Sequence, residues 1–185
     1  MPAIFEPPVK IPWYLKGAIW FAEQTTGRMM LPARLLAWYP KAALASGLME
    51  ALVAHTDGFL DERILKLVRV TASFAAACPF CVDMNSFEYQ RVGISDFELS
   101  VLQNQAEVES VATFTKREKL AVGYARLVSA SPLAFPSAFF DELKANFSER
   151  EIVILAATAA QVNYWARLIQ ALGIPPAGFS DECKR

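Results

Sequence analysis

Apolar residues recur three and four positions apart at Leu44, Leu48 and Leu52, and again at Ile64, Leu67, Val68 and Thr71. That spacing lines one face of an α-helix. The strict alternation of a half-buried strand is absent, and long stretches rich in Ala, Leu, Glu, Lys and Arg favour helix throughout. Helix starts are marked by Ser95-Asp96-Phe97-Glu98, Thr115-Lys116-Arg117-Glu118 and Ser148-Glu149-Arg150-Glu151. In each, the first side chain can cap the backbone N–H of the fourth residue. Helix ends are marked by Gly58, Gly93 and Gly173, the last followed by Ile174-Pro175-Pro176. The pattern predicts an all-α fold with helices over 13–25, 32–38, 41–56, 61–77, 79–92, 95–104, 115–130 and 148–172, about eight in number, and a shorter one near 136–146. The arm before Trp13 is expected to lie extended. No repeat of fixed period and no low-complexity tract divides the chain.

Composition narrows the classes. With 185 residues, 54% hydrophobic, the chain is long enough to bury a core as one domain. Its 18 basic and 19 acidic residues give no basic footprint, so neither nucleic acid nor an anionic membrane surface is an expected partner. The longest apolar stretch, Ile152 to Val162, falls short of the roughly 18 to 20 residues of a spanning helix. The opening Met1 to Pro8 lacks a basic region followed by an apolar run, so a cytoplasmic location is expected. The aromatic residues Trp13, Tyr14, Trp20, Phe21, Trp38 and Tyr39 suit core or interface packing rather than a cofactor box. Asn163 and Arg167, four apart on an otherwise apolar helix, require partners, either within the chain or across subunits. Together these features predict a homo-oligomer.

Chemistry concentrates at Ala77-Cys78-Pro79-Phe80-Cys81. Pro79 fits the first helical position, and Cys78 before it becomes the N-cap. Cys81 then stands in the first turn, where unpaired N–H groups and the positive end of the helix dipole favour a thiolate. A CxxC at a helix start is a redox motif by geometry, one sulfur attacking and the other resolving. The same pair would also suit two small buried hydrophobes. Zinc would need further soft ligands, and only Cys183 in the tail and the single His55 are on offer, so no metal is expected. A thioredoxin domain would need strands around the motif, where this chain predicts helices.

The run from about Leu31 to Phe179 resembles the carboxymuconolactone decarboxylase and alkylhydroperoxidase D (AhpD-like) superfamily of all-helical oligomers. The resemblance rests on Leu60-Asp61-Glu62-Arg63 leading into a helix, on Cys78-Pro79-Phe80-Cys81-Val82-Asp83-Met84-Asn85-Ser86, and on Val92-Gly93-Ile94-Ser95-Asp96. Further along, Phe147 to Val153, Asn163-Tyr164-Trp165-Ala166-Arg167 and Ala171-Leu172-Gly173-Ile174 look like the longer, peroxidase-related branch. On this resemblance, residues 1–30 form an arm and first helix, 31–179 the family-like core and 180–185 a tail of one AhpD-like helical domain spanning 1–185.

The resemblance implies that Cys81 attacks a peroxide and Cys78 resolves it, with no metal or organic cofactor. It also implies a Glu twelve residues before the first cysteine and a His four after the second, relaying protons. This sequence has Lys66 and Asn85 there. A protonated Lys has no acceptor and Asn does not titrate, so neither takes a thiol proton as Glu and His do. Lys66 folded beside the thiolate would depress its pKa, or it would pair with Glu62 on a wet face. Glu88, seven residues after Cys81, is expected on the same helical face as Cys81 and Asn85, where it either accepts a proton through water or is a solvated surface carboxylate. His55 is expected to cap a helix end rather than to act in catalysis. The expectation is a CxxC-dependent thiol oxidoreductase reducing small hydroperoxides or disulfides, supplied by a thiol electron donor that the sequence does not name. The alternative is a non-catalytic helical oligomer serving as a binding, scaffold or redox-sensing protein. Lactone decarboxylation is disfavoured, since that branch does not work through a CxxC and the chain lacks histidines for it.

Overall fold

Each of the three capping boxes forms. Ser95, Thr115 and Ser148 accept the N–H of Glu98, Glu118 and Glu151, and each glutamate reaches back to the cap's own N–H. The computed structural model describes residues 3–53, 58–104 and 106–180. Among them the helices are α1 (Trp13–Thr26), α2 (Leu31–Leu36), α3 (Pro40–Val53), α4 (Glu62–Ala75), α5 (Pro79–Asn85), α6 (Asp96–Gln103), α7 (Lys116–Ser129), α8 (Ser137–Asn146) and α9 (Glu149–Ala171), with no strand. Gly58, Gly93 and Gly173 all hold positive φ, as the sequence predicts of them. The described residues of the arm, 3–12, hold no helix, and the Ile4 N–H donates to the Leu172 carbonyl oxygen at 3.2 Å.

The centre is a triple packing of α4, α7 and α9. Ile64, Leu65 and Val68 of α4 meet Leu120, Ala121, Tyr124 and Ala125 of α7 and Leu155 and Ala159 of α9, with Leu143 of α8 closing the end. A second core joins Leu67 and Val70 to α6 and the segment around Val108 and Phe114. A third lies where α5 meets α2 and α9, and holds both cysteines. By length and composition α9 is the one helix among the described residues that could cross a membrane, which the uninterrupted apolar stretch did not foretell. In this fold it packs against α3, α4, α5, α7 and α8.

One arginine ties three helix starts together. Arg63 on the first turn of α4 pairs with Glu98 at 2.7 Å and with Glu118, and donates to the Gly93 carbonyl oxygen. Burial alone would raise the Glu98 carboxyl; the hydrogen bonds from Arg63 and Ser95 outweigh it and hold the group below the ordinary range.

The structure departs from the sequence reading, or decides what it left open, at three places. The helix predicted over 79–92 ends at Asn85: Glu88 turns into the left-handed region at φ +53°, and a 3₁₀ turn, Tyr89–Val92, follows. This turn buries Tyr89 in the second core, and no Gly or Pro between 86 and 92 announced it. The Leu44, Leu48 and Leu52 stripe does not enter the core; all three are more than half exposed and Ser46 is the buried residue of α3. Periodicity records that a face is apolar, not what covers it. Finally, Asn163 finds its partners within the chain, donating to Ser129 Oγ and the Ala159 carbonyl oxygen, both at 2.9 Å, and Arg167 is exposed to solvent and needs none.

Candidate active site

The turn from α4 into α5 sets the cysteines. Ala77 takes a left-handed backbone, φ +47°, and the Cys78 N–H donates to the Ser73 carbonyl oxygen, so the chain reverses in three residues. Cys78 is the N-cap, its sulfur accepting the Cys81 N–H at 3.2 Å, and Pro79 occupies the first helical position. The two sulfurs stand at disulfide distance with Cα atoms 5.2 Å apart. Both are shut in: Cys78 is 0% and Cys81 3% exposed. Leu35, Phe80, Ala166, Ile169 and Ile174 surround them, with Trp165 and Met84 packed against the cluster.

The residues at the two relay positions make separate bonds, Asn85 to Ser73 at the turn and Lys66 beyond the far end of α5. Lys66 Nζ donates to the Phe87 carbonyl oxygen at 2.6 Å. Burial, helped by the like charge of Arg69 and opposed by Glu88, lowers its pKa to about 8, so it is no ordinary surface cation. It lines an open cleft of about 520 Å³ together with Glu62, Met84, Phe87, Glu88 and Arg91. Met84 links that cleft to the cysteine cluster. Asn85 Nδ2 donates to Ser73 Oγ at 2.9 Å, and Ser73 Oγ donates on to the Arg69 carbonyl oxygen. Glu88 has left the helix that carries Cys81, so the shared face expected from seven-residue spacing does not exist; its carboxylate pairs with Arg91. His55 and Cys183 lie outside the described residues.

Two carboxylates near the cysteines escaped sequence reasoning. Glu50 Oε2 on α3 accepts from Gln161 Nε2 and Trp165 Nε1, both at 2.9 Å, and thereby fixes the indole that packs on the cysteine cluster. It also opposes the loss of charge that burial imposes on Arg69. The signal was available in Gln161 and Trp165, two donors four apart on an apolar helix, but nothing local pointed to α3. Asp83, two residues beyond Cys81, is 0% exposed and accepts the N–H groups of Ala177, Gly178 and Ser180 at 2.8, 2.7 and 2.7 Å. A charged residue inside the run Val82-Asp83-Met84 was the visible sign of it. Among the described residues no three or more His, Cys, Asp or Glu side chains gather to hold a metal ion. What the geometry offers is a pair of cysteines at disulfide distance at a helix start, in apolar surroundings, with a lysine of lowered pKa in the adjoining cleft.

Comparison with known proteins extends this. No protein-family profile matches the chain. Uncharacterized protein YnjA of Escherichia coli (strain K12) is 29% identical over 177 residues, 93% of each chain. A solved protein of unknown function from Agrobacterium tumefaciens that carries the AhpD antioxidant-defence name is 25% identical, with a TM-score of 0.66 over 76% of this chain and 94% of that one. An uncharacterized peroxidase-related protein from Ralstonia eutropha JMP134 with an AhpD core superposes at a TM-score of 0.78, 18% identical, over 99% and 95% of the two chains. The debrominase Bmp8, solved as a cysteine-to-alanine variant in complex with 2,3,4-tribromopyrrole, has a TM-score of 0.75 at 19% identity, covering 92% of this chain and 91% of its own.

Proposed function

This chain has the fold of the AhpD-like superfamily, and on that fold we propose that it is a CxxC-dependent thiol oxidoreductase that reduces small hydroperoxides or disulfides, with Cys81 as nucleophile and Cys78 as resolving thiol. The observation that carries the reading is the Cys78–Cys81 pair at disulfide distance, with Cys81 in the first turn of α5. There the unpaired N–H groups favour the thiolate over the thiol.

In the reduced protein the Cys81 thiolate attacks the outer oxygen of a hydroperoxide. The S–O bond forms, the O–O bond breaks, and the alkoxide leaves, taking a proton to become the alcohol. Cys78 then attacks the resulting sulfenic sulfur, its own proton departing with the hydroxyl group as water. Two thiols and one hydroperoxide thus give a disulfide, an alcohol and water. An external dithiol returns the disulfide to two thiols by exchange. Lys66, in the adjoining cleft, supplies a positive charge that favours a thiolate but relays no proton, so the alkoxide takes its proton from solvent. Asn85, bonded to Ser73, positions the turn and carries no proton.

The test is turnover with an organic hydroperoxide and a dithiol donor. Cys81→Ser should abolish it. Lys66→Glu combined with Asn85→His should raise it, since a matched acid–base pair is typically worth about a hundred- to ten-thousand-fold. Including 2,3,4-tribromopyrrole among the acceptors asks whether the Bmp8 likeness extends beyond fold. The second reading, a non-catalytic helical oligomer, draws on the burial of both sulfurs; thiols that ignore every acceptor would favour it.

A further inference from the structure

The cysteines that must meet a reagent are sealed, and part of the seal is not helix. Leu35, Ala166 and Ile169 cover them from α2 and α9, whereas Ile174 and Ala177 come from residues 174–180, which have no regular structure and cross over α5 after Gly173 ends α9. At its start the Ile174 N–H donates to the Ile169 carbonyl oxygen at 3.0 Å, and beyond that its backbone is held by one side chain. The fully buried Asp83 carboxylate accepts Ala177 N–H and Gly178 N–H on Oδ2 and Ser180 N–H on Oδ1. Gly178 holds φ +80°, a backbone that an L side chain resists, and this turn lets the two successive N–H groups converge on one oxygen. Phe179 in the same segment rests on Phe87 with ring centroids 6.0 Å apart.

We propose that residues 174–180 are a strap latched across the Cys78–Cys81 pair by Asp83, and that release of this latch governs access to the thiols. Asp83 lies two residues from Cys81 on the same short helix, so the helix that carries the thiols also carries the catch. Both carboxylate oxygens are engaged by strap backbone, and hydrogen bonds to a buried charge are among the strongest a protein makes. Opening the strap breaks three of them and frees Ile174 and Ala177 from the cluster, while α2, α4 and α9 keep their own packing. The latch rests on the thiol reading only so far as the sulfurs meet a reagent, whatever the substrate.

The experiment is alkylation of the reduced full chain with iodoacetamide as a function of pH, followed by peptide mapping of Cys81. Gly178→Ala is the cleanest variant: no atom lies within 4 Å of the added methyl, so only the turn is strained and no charge changes. Asp83→Asn puts an N–H₂ against a strap N–H in place of an acceptor. A chain ending at Pro176 removes the latched residues altogether. Each should raise the plateau rate at high pH by about tenfold or more, the weight of one charged hydrogen bond. In Gly178→Ala the midpoint of the profile should stay where it was, which separates access from thiol acidity. A wild-type plateau already equal to that of all three variants would overturn the latch and leave the oxidoreductase reading intact. Faster alkylation without hydroperoxide reduction would uphold the latch and remove that reading. Thiols that stay unreactive in the shortened chain would show that the strap is not what seals them.

Discussion

Ala77 is the residue on which the cysteine turn hinges, and it holds φ +47°, which costs an L side chain about 1–2 kcal/mol. It is exposed, so its methyl packs on nothing that a glycine would lose. Ala77→Gly should therefore stabilise the fold by about 0.5–1 kcal/mol, visible as a rise of about 1–4 °C in the melting temperature. Lys66 gives a pH signature. Its pKa falls from 10.5 to about 8 on folding, so between those values the unfolded chain holds a proton that the folded chain has released. Stability from this group then rises with pH through that window, by linkage. Urea unfolding at about pH 7.5 and about pH 10 should show that rise in the wild type and a flatter response in Lys66→Met; equal slopes would contradict the burial of the amine. At this scale the sequence revealed the Cys78 cap and the place of Cys81, because both follow from the next residue being proline. It did not reveal Glu50 or Asp83, whose partners Gln161, Trp165 and 177–180 lie far along the chain.

Among the elements, Arg63 matters most, because it links the start of α4 to the capping glutamates of α6 and α7. Removing one partner of a buried pair costs about 3–5 kcal/mol by leaving the other charge uncompensated. Arg63→Met should lose about that much in chemical denaturation, and Arg63→Lys should recover little, since a single ammonium cannot span both carboxylates and the Gly93 carbonyl. Glu98 titrates below its ordinary range when folded, so its contribution is present at neutral pH and is lost as pH falls through the folded pKa. The capping boxes made helix starts legible to within a residue, because the signal and its partner lie three positions apart. The end of α5 was not legible: the turn at Glu88 is set by burial of Tyr89 against α4 and α6, a contact that no local spacing encodes.

For the whole molecule, the all-α bundle followed from periodicity and caps and the aromatic residues were already read as core or interface, while the exposure of the α3 leucines was not announced. Trp13, Trp20 and Phe21 of α1, Trp38 and Tyr39, and Leu44, Leu48 and Leu52 of α3 are each more than half exposed. Exposed apolar residues in this number are a feature of interaction surfaces in general, and we propose a second copy of the chain as the partner that covers them. Light scattering should give a mass that is a multiple of 20.5 kDa, and Leu48→Glu should shift it toward the monomer; a wild-type monomer at micromolar concentration would contradict this. Whether Cys81 and Cys78 act together as a reducing pair is met head-on by titrating the reduced protein with an organic hydroperoxide while counting free thiols and alcohol formed. The expected result is one alcohol for every two thiols lost, peptide maps joining Cys78 to Cys81, and no alcohol from Cys81→Ser. Thiols that persist through an excess of hydroperoxide, or alcohol formed equally well by Cys81→Ser, would contradict the pairing.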